Sequence, residues 1–460
     1  NRRPMAGEAQ RCGLWEADVR ERFIPALASR KLPPHARAAD ALTWSVEAPP
    51  PSVRVGARIA KYGHEFVWTE RHLSAAQLQP LRQRGDAMMD AALPECPGRD
   101  VLATLRRVAS SSPQGDAARL LRLAEQPPAW VDWEMVALGQ ATYRRYLPLA
   151  GVVLFHMSLV GGFSAPLIAK VLSSTGYLTG APNQVVRRLL ETGRLLTDSC
   201  EADGALRPNG AGWCSALRVR ALHAHVRRRL QRSDRWDSTA WGVGINQEDM
   251  AVTLLAFSYN VMIGCEVILG AEWSKEEQQA YLHMWRYIGW LLGVEDDCNP
   301  CHATTEEARV WLESIIMHIL EPDELSTRLS AHLLRATADF RRGGGAMQHQ
   351  VQRADPDRSH STQEAEGAAE APPSEEWVRK AQVTRLLLGD TLGDAMKLPF
   401  VPRQRFRARR ILLCLRAYGW LCRTPIMGSV LSWVHRQLLR MMRKRGGDAM
   451  FVASECPLSL

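Results

Sequence analysis

The sequence predicts an all-α protein: a single large helical domain with a loosely structured N-terminal segment and a disordered insertion before its C-terminal helices. Three observations predict it. Apolar residues recur at helical spacing through most of 118–340. Strand-like alternation is nearly absent. Helix-start signals stand where the periodicity begins: Asn246 precedes Glu248 and Asp249, and Ser274 with Glu277 has the spacing of a capping box.

The elements follow in chain order. Residues 1–60 are rich in Arg, Ala and Pro with little periodicity, so loose structure is expected there. From Ser74, the pattern Leu78, Leu81, Ala87, Met88 reads as a helix with Gly85-Asp86 near its middle. Residues 109–115 are a loop by composition. The main block, 61–340, holds predicted helices at 134–145, 149–160, 164–175, 183–197, 215–232, 247–269, 274–293 and 304–320. Residues 341–375 are too poor in apolar side chains to fold alone and read as a disordered insertion. Helical pattern returns at Trp377–Leu388, within a C-terminal section, 376–445, that is partly basic and amphipathic.

The composition is that of an ordinary globular chain, 46% apolar and 23% charged. The net charge of +9 is spread over many segments, which argues against nucleic acid as a partner. Ten cysteines without regular spacing point to a reducing, intracellular compartment. The chain starts at Asn1, so an upstream segment is expected, and a targeting signal cannot be judged. Tyr146–Ala169 lacks charge, but Pro148, His156, Gly161-Gly162 and Pro166 break it into two pieces that suit a protein core. Arg405–Arg445 interleaves Ile411, Tyr418, Trp420 and Trp433 with basic residues, which suits either a membrane interface or the protein's own core.

Three segments carry chemistry. In Ser215–Leu230, at roughly 100° per residue, Ala216, Val219, Val226 and Leu230 fall within about 60° of His223, with Arg220 and Arg227 on the other flank. Two inward-facing guanidiniums require anions. A haem would supply them, its iron taken by His223 and its propionates by Arg220 and Arg227. A hydrogen-bonded core histidine beside arginines paired with Asp or Glu fits the same pattern. In Val185–Leu196, Arg188 and Thr192 share a face with Val185 and Leu195. That face suits an oxygen-binding pocket, or equally a salt bridge plus a hydroxyl bonded to its own helix. Cys298-Asn-Pro-Cys301-His302 matches the covalent haem-attachment pattern, although free thiols in a loop are the favoured reading. Walker loops, GxGxxG before a helix and GxSxG are absent, which excludes the classes that depend on them.

An ordered string of blocks resembles the DUF2236 family, which contains latex-clearing proteins (rubber oxygenases) and the endoplasmic-reticulum oxygenase of mycophenolic acid biosynthesis. The blocks are Leu81–Asp90 around Gly85-Asp86, Pro128–Trp133, Arg188 with Thr192, Arg218–Arg227, Trp241–Met250 and Trp285–Gly293. The resemblance covers roughly 65–320. It implies a globin-like helical core holding a non-covalent b-type haem, with His223 as the proximal ligand and Arg220 and Arg227 as haem-side arginines. Arg188 and Thr192 would lie on the distal face. The implied reaction is O2-dependent cleavage of a carbon–carbon double bond in an apolar, isoprenoid or prenylated substrate. An endoplasmic-reticulum membrane association is also implied. On this resemblance, Cys298, Cys301 and His302 have no haem role.

The chain departs from the family pattern in two ways. Glu191 stands where rubber oxygenases carry a lysine before the distal threonine. No Asp or Glu lies between Glu134 and Glu191, where their proposed base is found, which leaves Glu191 as the candidate catalytic carboxylate. The alternatives are a non-catalytic haem protein, such as a sensor or carrier, and a membrane-associated helical scaffold without cofactor.

Overall fold

The computed structural model describes residues 53–94, 100–176, 178, 180–342 and 374–446. Most of the two expected loose segments, 1–60 and 341–375, therefore lies outside the described residues. The helices of six residues or more are α1 (Ala87–Ala92), α2 (Val101–Ser111), α3 (Asp116–Glu125), α4 (Trp133–Arg145), α5 (Leu147–Val153), α6 (Pro166–Ser174), α7 (Pro182–Cys200), α8 (Ala211–Gln231), α9 (Gln247–Phe257), α10 (Tyr259–Leu269), α11 (Lys275–Leu291), α12 (Thr305–His318), α13 (Glu324–Arg342), α14 (Glu375–Leu388), α15 (Asp390–Ala395), α16 (Pro402–Arg423) and α17 (Pro425–Gly446). A π-helical stretch, Leu154–Val160, continues α5.

The all-α expectation holds, with one exception. β1 (Arg58–Lys61) and β2 (His64–Val67) form an antiparallel hairpin in which Ile59 faces Phe66. Tyr62 and Gly63, both at positive φ, make the two-residue turn. Ile59 and Phe66 bury themselves against Ile316 and Met317 of α12. The expectation of loose structure up to residue 60 is thus corrected for 58–60. Four residues per strand are too few for alternation to stand out in the sequence.

The main core lies between α4 and α11. Trp213, Tyr281, Trp285 and Tyr287 are fully buried there. The two helices approach so closely at Gly139 that a Cβ would lie 2.5 Å from the Ala280 carbonyl oxygen. α7 and α8 pack side by side, and α8 also packs on α1, α2 and α11.

Several sequence-drawn boundaries change. The helix expected from Ser74 breaks where its middle was placed. Gln79–Gln83 is a 3-10 turn, Arg84 is extended, and Asp86 caps α1 by accepting from the Met89 amide at 3.2 Å. The predicted helix 247–269 is split at Ser258 into α9 and α10. By length and composition this pair could cross a membrane, but 67% of its apolar window is buried within the fold. The expected caps at Asn246 and Ser274 are both formed.

Candidate functional site

The site is built around α8. Along its inward stripe, Ala216 and Leu230 are buried, while Val219, His223 and Val226 between them are only half-buried. The stripe is closed at both ends and open in the middle, where the imidazole sits. His223 Nδ1 is wholly buried, and neither ring nitrogen has a hydrogen-bond partner among the described residues. Burial, reinforced by the Arg227 charge and opposed by Asp86, pushes the imidazole pKa down to about 4. The ring is therefore neutral near pH 7, with a lone pair on one nitrogen. An unsatisfied buried imidazole nitrogen costs about 1–3 kcal/mol, which a bound metal would recover.

The flanking arginines show the carboxylate pairing that the sequence allowed beside the haem reading. Arg220 is held bidentately by Asp86, at 2.6 and 2.8 Å. Arg227 is held bidentately by Asp90, at 2.7 and 3.0 Å, and donates to the Ile245 carbonyl at 2.7 Å. The anions these cations need are aspartates of the capped α1 turn, so no propionate is required to neutralise them. Arg228 donates to the carbonyls of Asp90, Leu93 and Pro94. Together the three arginines clamp α8 to α1 and fix the imidazole's position. Ile245 is held at φ 53°, strained for a β-branched residue, and its carbonyl is the one that Arg227 grips.

Behind this clamp lies Gln247, fully buried. Its amide donates to the carbonyls of Gly85 and Gly293, both at 3.0 Å, and its oxygen accepts from the Glu295 amide and from Cys298 Sγ. Gly293 has φ +89°, and a Cβ there would collide with the Asp86–Arg220 pair. The CxxCH segment is part of the same support. Cys298 donates to Gln247, and Cys301 donates to Ser258 at 3.1 Å. Burial pushes both thiols up to about 12, so they stay protonated. Neither cysteine is in a disulfide.

On α7, Val185 and Leu195 are buried, but the stretch 186–194 between them keeps exposed or half-exposed surface. Arg188 donates to Glu191 at 2.7 Å, and Arg187 donates to the other oxygen of the same carboxylate at 3.1 Å. The Thr192 hydroxyl donates to the Arg188 carbonyl at 3.1 Å. A Cβ added at Gly193 would meet nothing within 4 Å, so open space adjoins this part of the helix. The expected dry face is therefore not closed: Thr192 is exposed, and Arg188 and Glu191 satisfy each other.

Sequence reasoning missed Asp86 and Asp90 as partners, although Gly85-Asp86 had been singled out as a block. It also missed Gln247 and the buried pair Glu248 and Asp249. Burial, then the neighbouring Glu248, raises the Asp249 carboxyl to about 7, and Glu248, also raised by burial, is held by Arg82 at 2.6 Å. Carboxylates right after an N-cap read as ordinary helix starts, which hid their burial. Among the described residues, no three His, Cys, Asp or Glu side chains converge as metal ligands. A lone interior imidazole would suit a metal carried within a prosthetic group.

Comparison with known proteins gives the family and the fold. A family model described as "ER-bound oxygenase mpaB/B'/Rubber oxygenase, catalytic domain" matches residues 144–424. The chain belongs to this family. It is 25% identical over 290 residues to the rubber oxygenase of Streptomyces sp. (strain K30). That match takes in 62% of this chain and spans about two thirds, 66%, of the relative's length. A solved latex clearing protein in its closed state shares the fold, with a TM-score of 0.54 at 21% identity, covering 79% of this chain and 90% of that one. The matched region contains both α7 and α8 but begins after Asp86 and Asp90.

Proposed function

We propose that this protein is a b-type haem oxygenase that uses O2 to cleave a carbon–carbon double bond in an apolar, isoprenoid substrate. The observation that carries the proposal is His223: an interior, neutral imidazole with no hydrogen-bond partner, at the open middle of a helix face. Membership in an oxygenase catalytic-domain family supports the reaction class, and the name of the similar rubber oxygenase supports the substrate class.

The residues fit a haem in part. His223 would hold its iron. Arg220 and Arg227 do not fit as its counter-charges, because Asp86 and Asp90 already hold them. Their part is to position His223 through the α8–α1 clamp. When bound, the haem would supply the iron centre that engages O2. The chain's own residues hold the ring of His223 in its neutral form and flank it with the half-buried apolar side chains of Val219 and Val226. On the neighbouring helix, the candidate oxygen-side groups are the Arg188 guanidinium and the Thr192 hydroxyl. Glu191 is the nearest carboxylate in sequence to those donors. It accepts one hydrogen bond on each oxygen, from Arg187 and from Arg188.

The test is a visible spectrum of protein expressed with a haem precursor, followed by incubation of the ferrous form with O2 and a polyisoprenoid while new aldehydes and ketones are trapped. A Soret band that is lost in a folded His223→Ala variant, together with repeated turnover, is the expected result. Haem content unchanged by that substitution would overturn the ligand assignment. Haem binding without product would leave the sensor or carrier reading in its place.

A further inference from the structure

The C-terminal helices carry a surface that the proposed reaction does not use. α17 is apolar on two opposite faces. Its inner face, Gly428, His435 and Leu439, is buried on the protein. His435 anchors it, with Nδ1 at 2.6 Å from the Arg144 carbonyl oxygen and Nε2 at 2.6 Å from the Tyr418 hydroxyl. The outer face carries Ile426, Val430, Trp433, Val434 and Met441, spaced so that they form one stripe about 180° from the buried one. Ile426 is 81% exposed and Trp433 62%. α16 packs beside α17 and adds Phe406, Leu413, Trp420 and Leu421, with Phe406 63% exposed. Exposed large side chains so concentrated on two neighbouring helices mark an interaction surface.

Charge narrows the choice of occupant. From Val401 to Gly447 the sequence has twelve Arg and Lys and no Asp or Glu. Some of these cations are used internally: Arg405 pairs with Asp390, Arg407 with Glu375, and Arg440 with Glu201. Arg410 has no partner among the described residues. It lines an open groove of about 810 Å³ together with Arg379, Arg407, Ile411, Leu415 and Tyr418. A second copy of this chain docking face to face would set two largely basic rims against each other, and the carboxylates beside the groove, Glu375 and Glu376, are already taken by Arg407 and Arg379. What the face requires is an apolar interior bordered by negative charge. Interleaved tryptophans and arginines on a helix pair are the composition of an interfacial surface.

We propose that the outer face of α16 and α17 is a peripheral docking surface for an anionic lipid bilayer, with Trp433, Ile426 and Val430 entering the headgroup–acyl boundary and the Arg410 groove receiving a phosphate. The inference stands on these residues and does not depend on the haem assignment.

Co-sedimentation of the full chain with two kinds of vesicle tests it: phosphatidylcholine alone, and phosphatidylcholine mixed equally with phosphatidylserine. The expected result is binding to the mixed vesicles, weakened by salt, and little binding to the neutral ones. A variant carrying Ile426→Ser, Val430→Ser and Trp433→Ser is expected to lose at least about tenfold in vesicle affinity. It should keep its helix content, because all three side chains face outward. Arg410→Glu serves as a second variant that leaves the apolar stripe intact, and it should lower affinity for the mixed vesicles only. Equal binding to both vesicle types, or to neither, would overturn the proposal. So would a concentration-dependent dimer that the triple variant dissociates, which would assign the face to a second copy.

Discussion

Helices α7 and α8 lie against each other, and both present arginines from apolar faces, yet those arginines are held in different ways. On α8, Arg220 and Arg227 reach out of their own helix to aspartates more than one hundred and thirty residues earlier in the chain, and both guanidiniums are largely buried. On α7, Arg187 and Arg188 share one carboxylate three and four residues further along the same helix, and Arg188 keeps 28% of its side-chain surface. The first arrangement ties two parts of the fold together. The second is local and would form in an isolated helix. The α8 side of the site is therefore rigid before any ligand arrives. The α7 side borders open space at Gly193 and has freedom to adjust.

The largest effect expected from this contrast is at Arg220. Its partner Asp86 is 5% exposed, so Arg220→Ala strands a buried carboxylate. The expected loss is about 3–5 kcal/mol of stability by urea denaturation. A cost near that of a surface pair would show that α8 is not clamped as described.

The next effect is in pH dependence. In the unfolded chain His223 takes up a proton near 6.5, while in the folded protein it does so only near 4. Between those values the unfolded state binds more protons, so stability falls as pH is lowered from 6.5 toward 4 and is fully present above 6.5. The full span corresponds to ~3 kcal/mol for this one group. His223→Phe should flatten that part of the stability profile relative to wild type when unfolding midpoints are measured at pH 7 and pH 5. His156, whose pKa burial lowers to about 3, contributes an acid-sensitive slope of the same sign in both proteins. An unchanged difference between the two proteins across this range would mean that His223 is solvated.

How legible the site was follows from the same contrast. Helical spacing was enough to turn His223 inward and to place Arg188 with Thr192, because both features repeat within one helix. The partners of Arg220 and Arg227 could not be found that way. Asp86 and Asp90 stand far away in sequence, and Gly85-Asp86, expected inside a helix, instead breaks the chain so that Asp86 can cap α1 and reach α8. Periodicity also hid the break at Ser258, since α9 and α10 are apolar on most sides and show no sharp polar face to mark a boundary. The two-stranded hairpin escaped because its strands are too short to alternate visibly.

On α7 the expected effects are small, and their signs differ. Gly193→Ala places a methyl group where nothing lies within 4 Å, in a helix interior where glycine is unfavourable. It should raise stability by about 0.5–1 kcal/mol in the protein without cofactor, read as a higher thermal midpoint. A destabilisation would mean that the space beside α7 is filled.

Arg188→Ala should do least of all. The pair it removes is a half-exposed contact within one helix, worth about 0.3–0.5 kcal/mol, and Glu191 keeps Arg187 as a second partner. Its value is as a discriminator. If Arg188 serves the reaction, the same substitution should lower turnover by about tenfold or more while leaving the thermal midpoint nearly unmoved, because the cationic donor would act on charge that develops only during the reaction. A loss of stability comparable to that of Arg220→Ala would place Arg188 in the framework with the α8 arginines and erase the difference between the two helices.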